Sequence, residues 1–149
     1  MSLVAGHLVG DRIALPVNTS SVAEQLVEPH GVRIQHTKTS TAALMAAASE
    51  SGVGFAASGD GGFILPGFLP AYDGGAALVK LLELLALEGT TLSQVRESLP
   101  RTHIAHETVV TPWEQKGLVM RTLVELSKDR RLELIDGVKV LHDDGWILA

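Results

Sequence analysis

The 149-residue sequence contains no cysteine, which removes disulfides, thiolate zinc sites and cysteine nucleophiles together. A cytoplasmic protein is the natural expectation. Positive charge is also scarce, with 12 Lys and Arg against 17 Asp and Glu and a formal net charge of -5. A surface for nucleic-acid phosphates needs an excess of cations, so nucleic acid is excluded as a nonspecific partner. Long apolar runs are missing too. The most apolar stretch, Ala76 to Leu87, is cut by Lys80 and Glu83 and is too short to cross a bilayer, so no membrane partner is expected. Internal repeats and low-complexity segments are absent. Core material is plentiful: 46% of residues are hydrophobic and 19% charged, which suits one ordinary domain or two small ones.

Read in order, the chain opens with Met1-Ser2-Leu3, which reads as a remnant of recombinant expression. Ile13 to Val17 is a short apolar strand. Ser21-Val22-Ala23-Glu24 has the spacing of a capping box, and Pro29-His30-Gly31 ends the helix it would open. Val32 to His36 alternates as a second strand. Ser40 or Thr41 caps a second helix that stops at Gly52, and Val53 to Ala57 is a third strand. Strand, helix, strand, helix, strand at this spacing predicts parallel strands with right-handed crossovers.

Ser58-Gly59-Asp60-Gly61-Gly62 then forms a glycine-rich turn before the apolar Phe63-Ile64-Leu65-Pro66. A long helix is predicted from about Asp73 to Glu88, with Leu78, Leu81, Leu82 and Leu85 as its apolar face and Gly89 as its cap. Thr91 to Gln94 is a second capping box, closed by Pro100. A domain boundary is placed near Pro100-Arg101, giving units 1–100 and 101–149. In the second unit Thr102 to Thr111 reads as a strand. Thr111-Pro112-Trp113-Glu114 reads as a helix start whose buried stripe is Val119, Leu123 and Leu126. Val138 to Leu141 and Trp146 to Leu148 flank Asp143-Asp144-Gly145, where Asp-Gly predicts a type I′ hairpin turn. The chain stops inside that apolar strand pattern, so truncation at both ends is expected.

The stretch Gly54-Phe55-Ala56-Ala57-Ser58-Gly59-Asp60-Gly61-Gly62-Phe63-Ile64-Leu65-Pro66, with Pro70-Ala71-Tyr72-Asp73-Gly74 and the leucine-rich helix, resembles domain three of the α-D-phosphohexomutases. In that family of phosphomannomutases and phosphoglucomutases, a Gly-Glu-x-Ser-Gly loop reads the sugar hydroxyls. Asp136-Gly137-Val138-Lys139-Val140 and Asp144-Gly145-Trp146-Ile147-Leu148 resemble the start of domain four. There an Arg-Pro-Ser-Gly-Thr-Glu-Pro phosphate loop would follow, where this chain ends. The wording of the sugar loop is similar to mutase-like regions fused to a mannose-1-phosphate guanylyltransferase.

The resemblance implies an α/β fold, with a parallel βαβαβ unit followed by a truncated α+β unit. It also implies a phosphosugar as ligand and the missing domains of a parent chain as partners. Sugar-contact residues would be Ser58, Gly59, Asp60 and Gly61. It leaves no catalytic residue and no metal ligand here. The phosphoserine and the Asp-Gly-Asp-x-Asp-Arg magnesium loop belong to domains one and two, so Mg pertains to the intact enzyme and no cofactor to this segment. Aligned on Ser58, Ala56 and Ala57 take the places of the family's carboxylates, and Thr39-Ser40-Thr41-Ala42 replaces a Val-Gly-x-Lys turn. Two functions follow: the sugar-reading part of a phosphosugar mutase, inactive alone, or a non-catalytic module that regulates or assembles a nucleotidyltransferase.

Each motif also has a structural explanation. Ser58 to Gly62 would serve equally as a turn chosen for positive φ. His103 and His106, at i and i+3 of a strand, would point to opposite faces and share no ion. His142-Asp143-Asp144 is explained by a hairpin turn. His36 and Lys38 stand at a strand's carboxyl end, where open α/β sheets bind ligands, or are an ordinary exposed strand end.

Overall fold

A computed structural model describes Val4 and residues 7–149; Met1-Ser2-Leu3 lies outside the described residues. The chain divides into two compact units, Met1–Thr102 and His103–Ala149.

The first unit is a five-stranded sheet in the order β2-β1-β3-β4-β5. Strands β1 (Arg12–Pro16), β2 (Arg33–Thr37) and β3 (Val53–Ala57) run parallel, in the predicted βαβαβ connection. Helix α1 (Val22–Val27) packs Ala23 and Val27 against Ile13, Leu15, Phe55 and Ala57 on one face. Helix α2 (Thr41–Ala48) packs Leu44, Ala47 and Ala48 against Ala14, Val53, Ala56 and Ile64 on the other. Opposite faces are what right-handed crossovers demand, because β2 and β3 lie on opposite sides of β1. The α2 face combines four buried alanines with the larger Leu44, Val53 and Ile64.

Two short antiparallel strands, not anticipated from sequence, extend the sheet: β4 (Phe63–Leu65) beside β3, and β5 (Leu69–Tyr72) beside β4. Helix α3 (Gly74–Leu87) lies along β4 and is capped by Asp73, whose carboxylate accepts from the Ala76 amide at 2.8 Å. Its buried residue is Leu84, flanked by half-buried Ala77 and Leu81, whereas Leu78 and Leu82 are exposed. The expected face is therefore turned. Helix α3 carries apolar residues nearly all round, and periodicity alone does not pick the side that meets the sheet. Helix α4 (Leu92–Ser98) opens with the predicted Thr91–Gln94 capping box.

Other local expectations are corrected. Ser21 forms no side-chain cap, and Glu24 reaches Nε2 of His36 at 3.1 Å instead of turning back to the helix start. Residues 102–111 form no strand; they are exposed as far as Val110, and no described residue pairs with them. Strand-like alternation gives a segment the capacity to pair, but a ladder needs a neighbour.

In the second unit, α5 (Trp113–Leu126) has Pro112 rather than Thr111 at its N-cap. Its half-buried stripe is Met120, Leu123, Val124 and Ser127, while Val119 and Leu126 are exposed. A three-stranded antiparallel sheet follows: β6 (Arg131–Glu133), β7 (Lys139–His142) and β8 (Gly145–Leu148). His142 pairs with Gly145, so Asp143 and Asp144 are the central turn residues. Neither has positive φ, and the type I′ turn is not formed.

Candidate functional site

The parallel strands β1, β2 and β3 end on one edge of the first unit, and the chain order reverses between β1 and β3. Loops leaving such strands diverge around a crevice, the usual ligand position in open α/β sheets. Three loops meet this condition: residues 17–21, 38–40 and 58–62. Lys38 is the only cation in their sequences.

The 58–62 loop is closed on itself. The Ser58 amide donates to the Gly62 carbonyl at 2.9 Å, and the Gly61 amide to the Ser58 carbonyl at 3.2 Å. The Ser58 hydroxyl donates to Oδ1 of Asp60, while its oxygen accepts from the Gly62 amide at 3.2 Å. Gly61 has φ +94°, a conformation that favours glycine. A Cβ on Gly62 would stand 2.2 Å from the Tyr72 ring, so the turn lies directly on Tyr72. The two explanations for the turn therefore coexist: two glycines serve geometry, while Ser58 and Asp60 present polar groups beyond the third strand. Gly59 has open space around it and ordinary φ.

The hydroxyl of Ser58, foremost, and nearby amides hold the Asp60 carboxyl below the usual aspartate range. The sign follows: a depressed carboxylate supports the loop above its unfolded pKa and loses that support as pH falls through the folded value. We expect the Ser58 and Gly62 amide resonances to titrate together below about pH 3.8. Asp60→Asn should abolish this transition, and its persistence would assign it to another group.

Ala56 and Ala57 are not loop residues. They end β3 and face opposite layers, Ala56 among Ala14, Leu44 and Ile64, Ala57 with Ile13 and Phe55. Ser40 accepts from the Ala43 amide at 3.3 Å, so the Thr39-Ser40-Thr41 turn caps α2. The ring of His36 packs toward Glu24 instead of pointing from the strand end, and Lys38 is exposed. His103 and His106 are exposed residues of the second unit, and His142 meets Arg130 at 3.2 Å. Among the described residues, no group of three or more His, Cys, Asp or Glu could hold a metal ion. Among them, too, no helix is long and apolar enough to cross a membrane. Tyr72 was missed as a site residue because its role depends on the β4–β5 hairpin; the signal available was its place in the stretch following Pro70.

Comparison with known proteins gives consistent results. The family profile described as phosphoglucomutase/phosphomannomutase, alpha/beta/alpha domain III, matches residues 2–103. A probable phosphoglucosamine mutase of Methanopyrus kandleri is 31% identical over 140 residues, covering 93% of this chain and 31% of that protein. A phosphoglucomutase/phosphomannomutase of Thermococcus kodakarensis is 24% identical, covering 94% of this chain and 31% of its own length. The crystal structure of a putative phosphomannomutase from Thermus thermophilus superposes with a TM-score of 0.63 at 20% identity, over 99% of this chain and 33% of that one. The chain thus spans about a third of the length of these relatives. It belongs to the phosphoglucomutase/phosphomannomutase family, with residues 2–103 matching its alpha/beta/alpha domain III.

Proposed function

We propose that this chain is the sugar-reading part of a longer phosphosugar mutase and does not transfer phosphoryl groups alone. The observation that carries this is the Ser58–Asp60 pair, held in a hydrogen-bonded turn at the carboxyl edge of the parallel strands. The family loop sets a carboxylate and a hydroxyl two residues apart, in the wording Glu-x-Ser. Here the same two groups stand two residues apart in reverse order, Ser58-Gly59-Asp60. On this reading Asp60 supplies the carboxylate that Ala56 and Ala57, buried at the end of β3, do not. A carboxylate that accepts from sugar hydroxyls makes a charge-assisted bond, the stronger kind.

On this reading the sugar is met by Ser58 and Asp60, with Gly59 and Gly61 keeping the approach open. The phosphate is not, because Lys38 is the one cation in the three loops. The 103–149 unit, read as the beginning of domain four, would lead into the phosphate-binding loop. Magnesium belongs with domains one and two; among the described residues no cluster of His, Asp or Glu fits it.

A second reading makes the chain a non-catalytic module attached to a mannose-1-phosphate guanylyltransferase, with a regulatory or assembly role. It is favoured by the Thr39-Ser40-Thr41 turn, which caps a helix where the family places a lysine. An upstream serine nucleophile and magnesium loop in the reading frame would decide for the mutase.

The direct test is NMR titration with hexose and hexosamine phosphates. One or two hydrogen bonds, at about 0.5–1.5 kcal/mol net each, do not offset the roughly 4 kcal/mol or more of lost rigid-body freedom. Shifts centred on Ser58 to Gly62 are therefore expected only above about 1 mM, and should vanish in Ser58→Ala and Asp60→Asn. Tight saturable binding, shifts elsewhere, or mutase turnover above a blank preparation would overturn the reading.

A further inference from the structure

Tyr72 lies against the Ser58–Gly62 turn without being one of its polar groups. It ends β5 opposite Ile64 of β4, and its half-buried side chain packs on the cluster that contains Leu44, Ala56 and Ile64. The ring also meets Gly62. A Cβ built on Gly62 would stand 2.7 Å from Cδ1 of the ring, nearer still to Cε1, and 2.8 Å from the Ser58 oxygen. The φ of Gly62 is not positive, so position 62 needs glycine for room and not for conformation. The tyrosine ring occupies the space that a side chain there would take.

We infer that Tyr72 is the positioning residue of this site: its ring sets the place of the Gly62 backbone, and Gly62 sets that of the Ser58 hydroxyl and the Asp60 carboxylate. The inference rests on reading Ser58 and Asp60 as the sugar contacts, and extends that reading to how they are held.

Gly62 grips Ser58 in both directions. Its carbonyl accepts from the Ser58 amide at 2.9 Å, and its amide donates to the Ser58 oxygen at 3.2 Å. A hydroxyl has one proton to give, and the Ser58 proton goes to Asp60. Retreat of Gly62 by about 1 Å would carry both of its bonds beyond hydrogen-bond range. The Ser58 hydroxyl would then lose the partner that orients it.

The ring is itself held on both sides. Ile64, its cross-strand partner, has no solvent exposure. The next residue, Asp73, caps α3 through the Ala76 amide at 2.8 Å, and its own amide donates to the Phe63 carbonyl at 3.4 Å. Contact groups hold a productive geometry only when packed neighbours lock them in this way.

NMR of the 149-residue chain separates positioning from ordinary packing. The Ser58 hydroxyl, foremost, and the amides of Asp60 and Gly62 hold the Asp60 carboxyl below its usual range, with no charged neighbour contributing. Its titration therefore reports the arrangement of the turn without any ligand. Tyr72→Leu keeps an apolar side chain against the sheet and removes the ring edge. In that variant the Asp60 titration should move up toward the ordinary aspartate range, and the hexose-phosphate shifts at Ser58 to Gly62 should be lost. Tyr72→Phe, which keeps the ring, should show both as in the parent. Gly62→Ala forces ring and turn apart from the other side, in the loop and not in the sheet, and should also raise the Asp60 titration. It decides the matter if Tyr72→Leu does not fold. A packing role alone would lower the thermal midpoint and leave the Asp60 titration in place. That result in Tyr72→Leu or in Gly62→Ala would overturn the inference. If the titration moves as expected but the parent chain shows no ligand shifts at Ser58 to Gly62, the sugar reading fails and the hold of Tyr72 on the turn stands.

Discussion

Ala56→Glu is expected to unfold the first unit, whereas Ser58→Glu, two residues later, should be tolerated. Ala56 has no solvent exposure and touches the α2 layer through Leu44 and Ala47, with Ile64 beside it on β4. A glutamate there adds volume to a fully buried site, which costs about 1–3 kcal/mol. It also places a carboxylate where the surroundings are apolar, at several kcal/mol more unless it takes up a proton. Together these approach the roughly 5–15 kcal/mol that holds a typical domain folded. Ser58 lies outside the strand, in a turn whose lost hydrogen bonds are worth about 1 kcal/mol each. Urea unfolding followed by circular dichroism separates the cases: a lost or strongly lowered midpoint for Ala56→Glu, a modest change for Ser58→Glu. If Ala56→Glu unfolds like the wild type, position 56 is not core. A carboxylate would then be tolerated where the alignment on Ser58 places the family's, and its loss at Ala56 would favour the module that has lost its ligand.

The contrast between these positions marks what was legible in the sequence. The βαβαβ framework is written locally, in Ile13 to Val17, the Ser40 cap and the strand Val53 to Ala57, and each of these appears at or within one residue of its expected place. The cap at Asp73 and the box at Thr91 were legible for the same reason: a capping residue and its amide are three positions apart. Features decided by distant partners were not legible. Strands β4, β5 and β6 are three or four residues long and exist because a neighbouring strand receives them. Residues 102–111 show the converse, a strand pattern that no described residue pairs with. The faces of α3 and α5 turned away from their expected stripes because tertiary packing chose among several apolar sides. At the site, glycine spacing announced a turn. That Ser58 would bond to Asp60, and that Gly62 would rest on Tyr72, required the fold.

Glu133→Ala is expected to destabilise the second unit far more than Lys139→Met, although the two side chains form one pair. Lys139 is only 2% exposed, and its ammonium lies 3.2 Å from Oε2 of Glu133. Register brings them together, since Glu133 is directly opposite Lys139 across β6 and β7. The ammonium also sits 5.1 Å from the centre of the Trp146 ring, whose π-face attracts a cation. Removing Glu133 leaves that buried ammonium without the carboxylate. The cost of such an orphaned charge is about 3–5 kcal/mol, which a unit of this size has little margin to absorb. Methionine at 139 keeps the unbranched shape of the stem and removes the buried charge; the carboxylate it leaves on Glu133 is 28% exposed and is solvated by water, so the cost is much smaller. Trp146 supplies a local signal for both variants, its emission moving to the red on exposure; Trp113 emission is removed beforehand by Trp113→Phe at an exposed position. The expected order of thermal midpoints is Lys139→Met close to the parent and Glu133→Ala well below it, with Glu133→Ala combined with Lys139→Met recovering most of the loss. That recovery is the decisive comparison, because only relief of a stranded charge makes a second truncation stabilising. If the double variant is as unstable as Glu133→Ala alone, Glu133 supports the sheet through other contacts, and the ammonium is sufficiently held by Trp146.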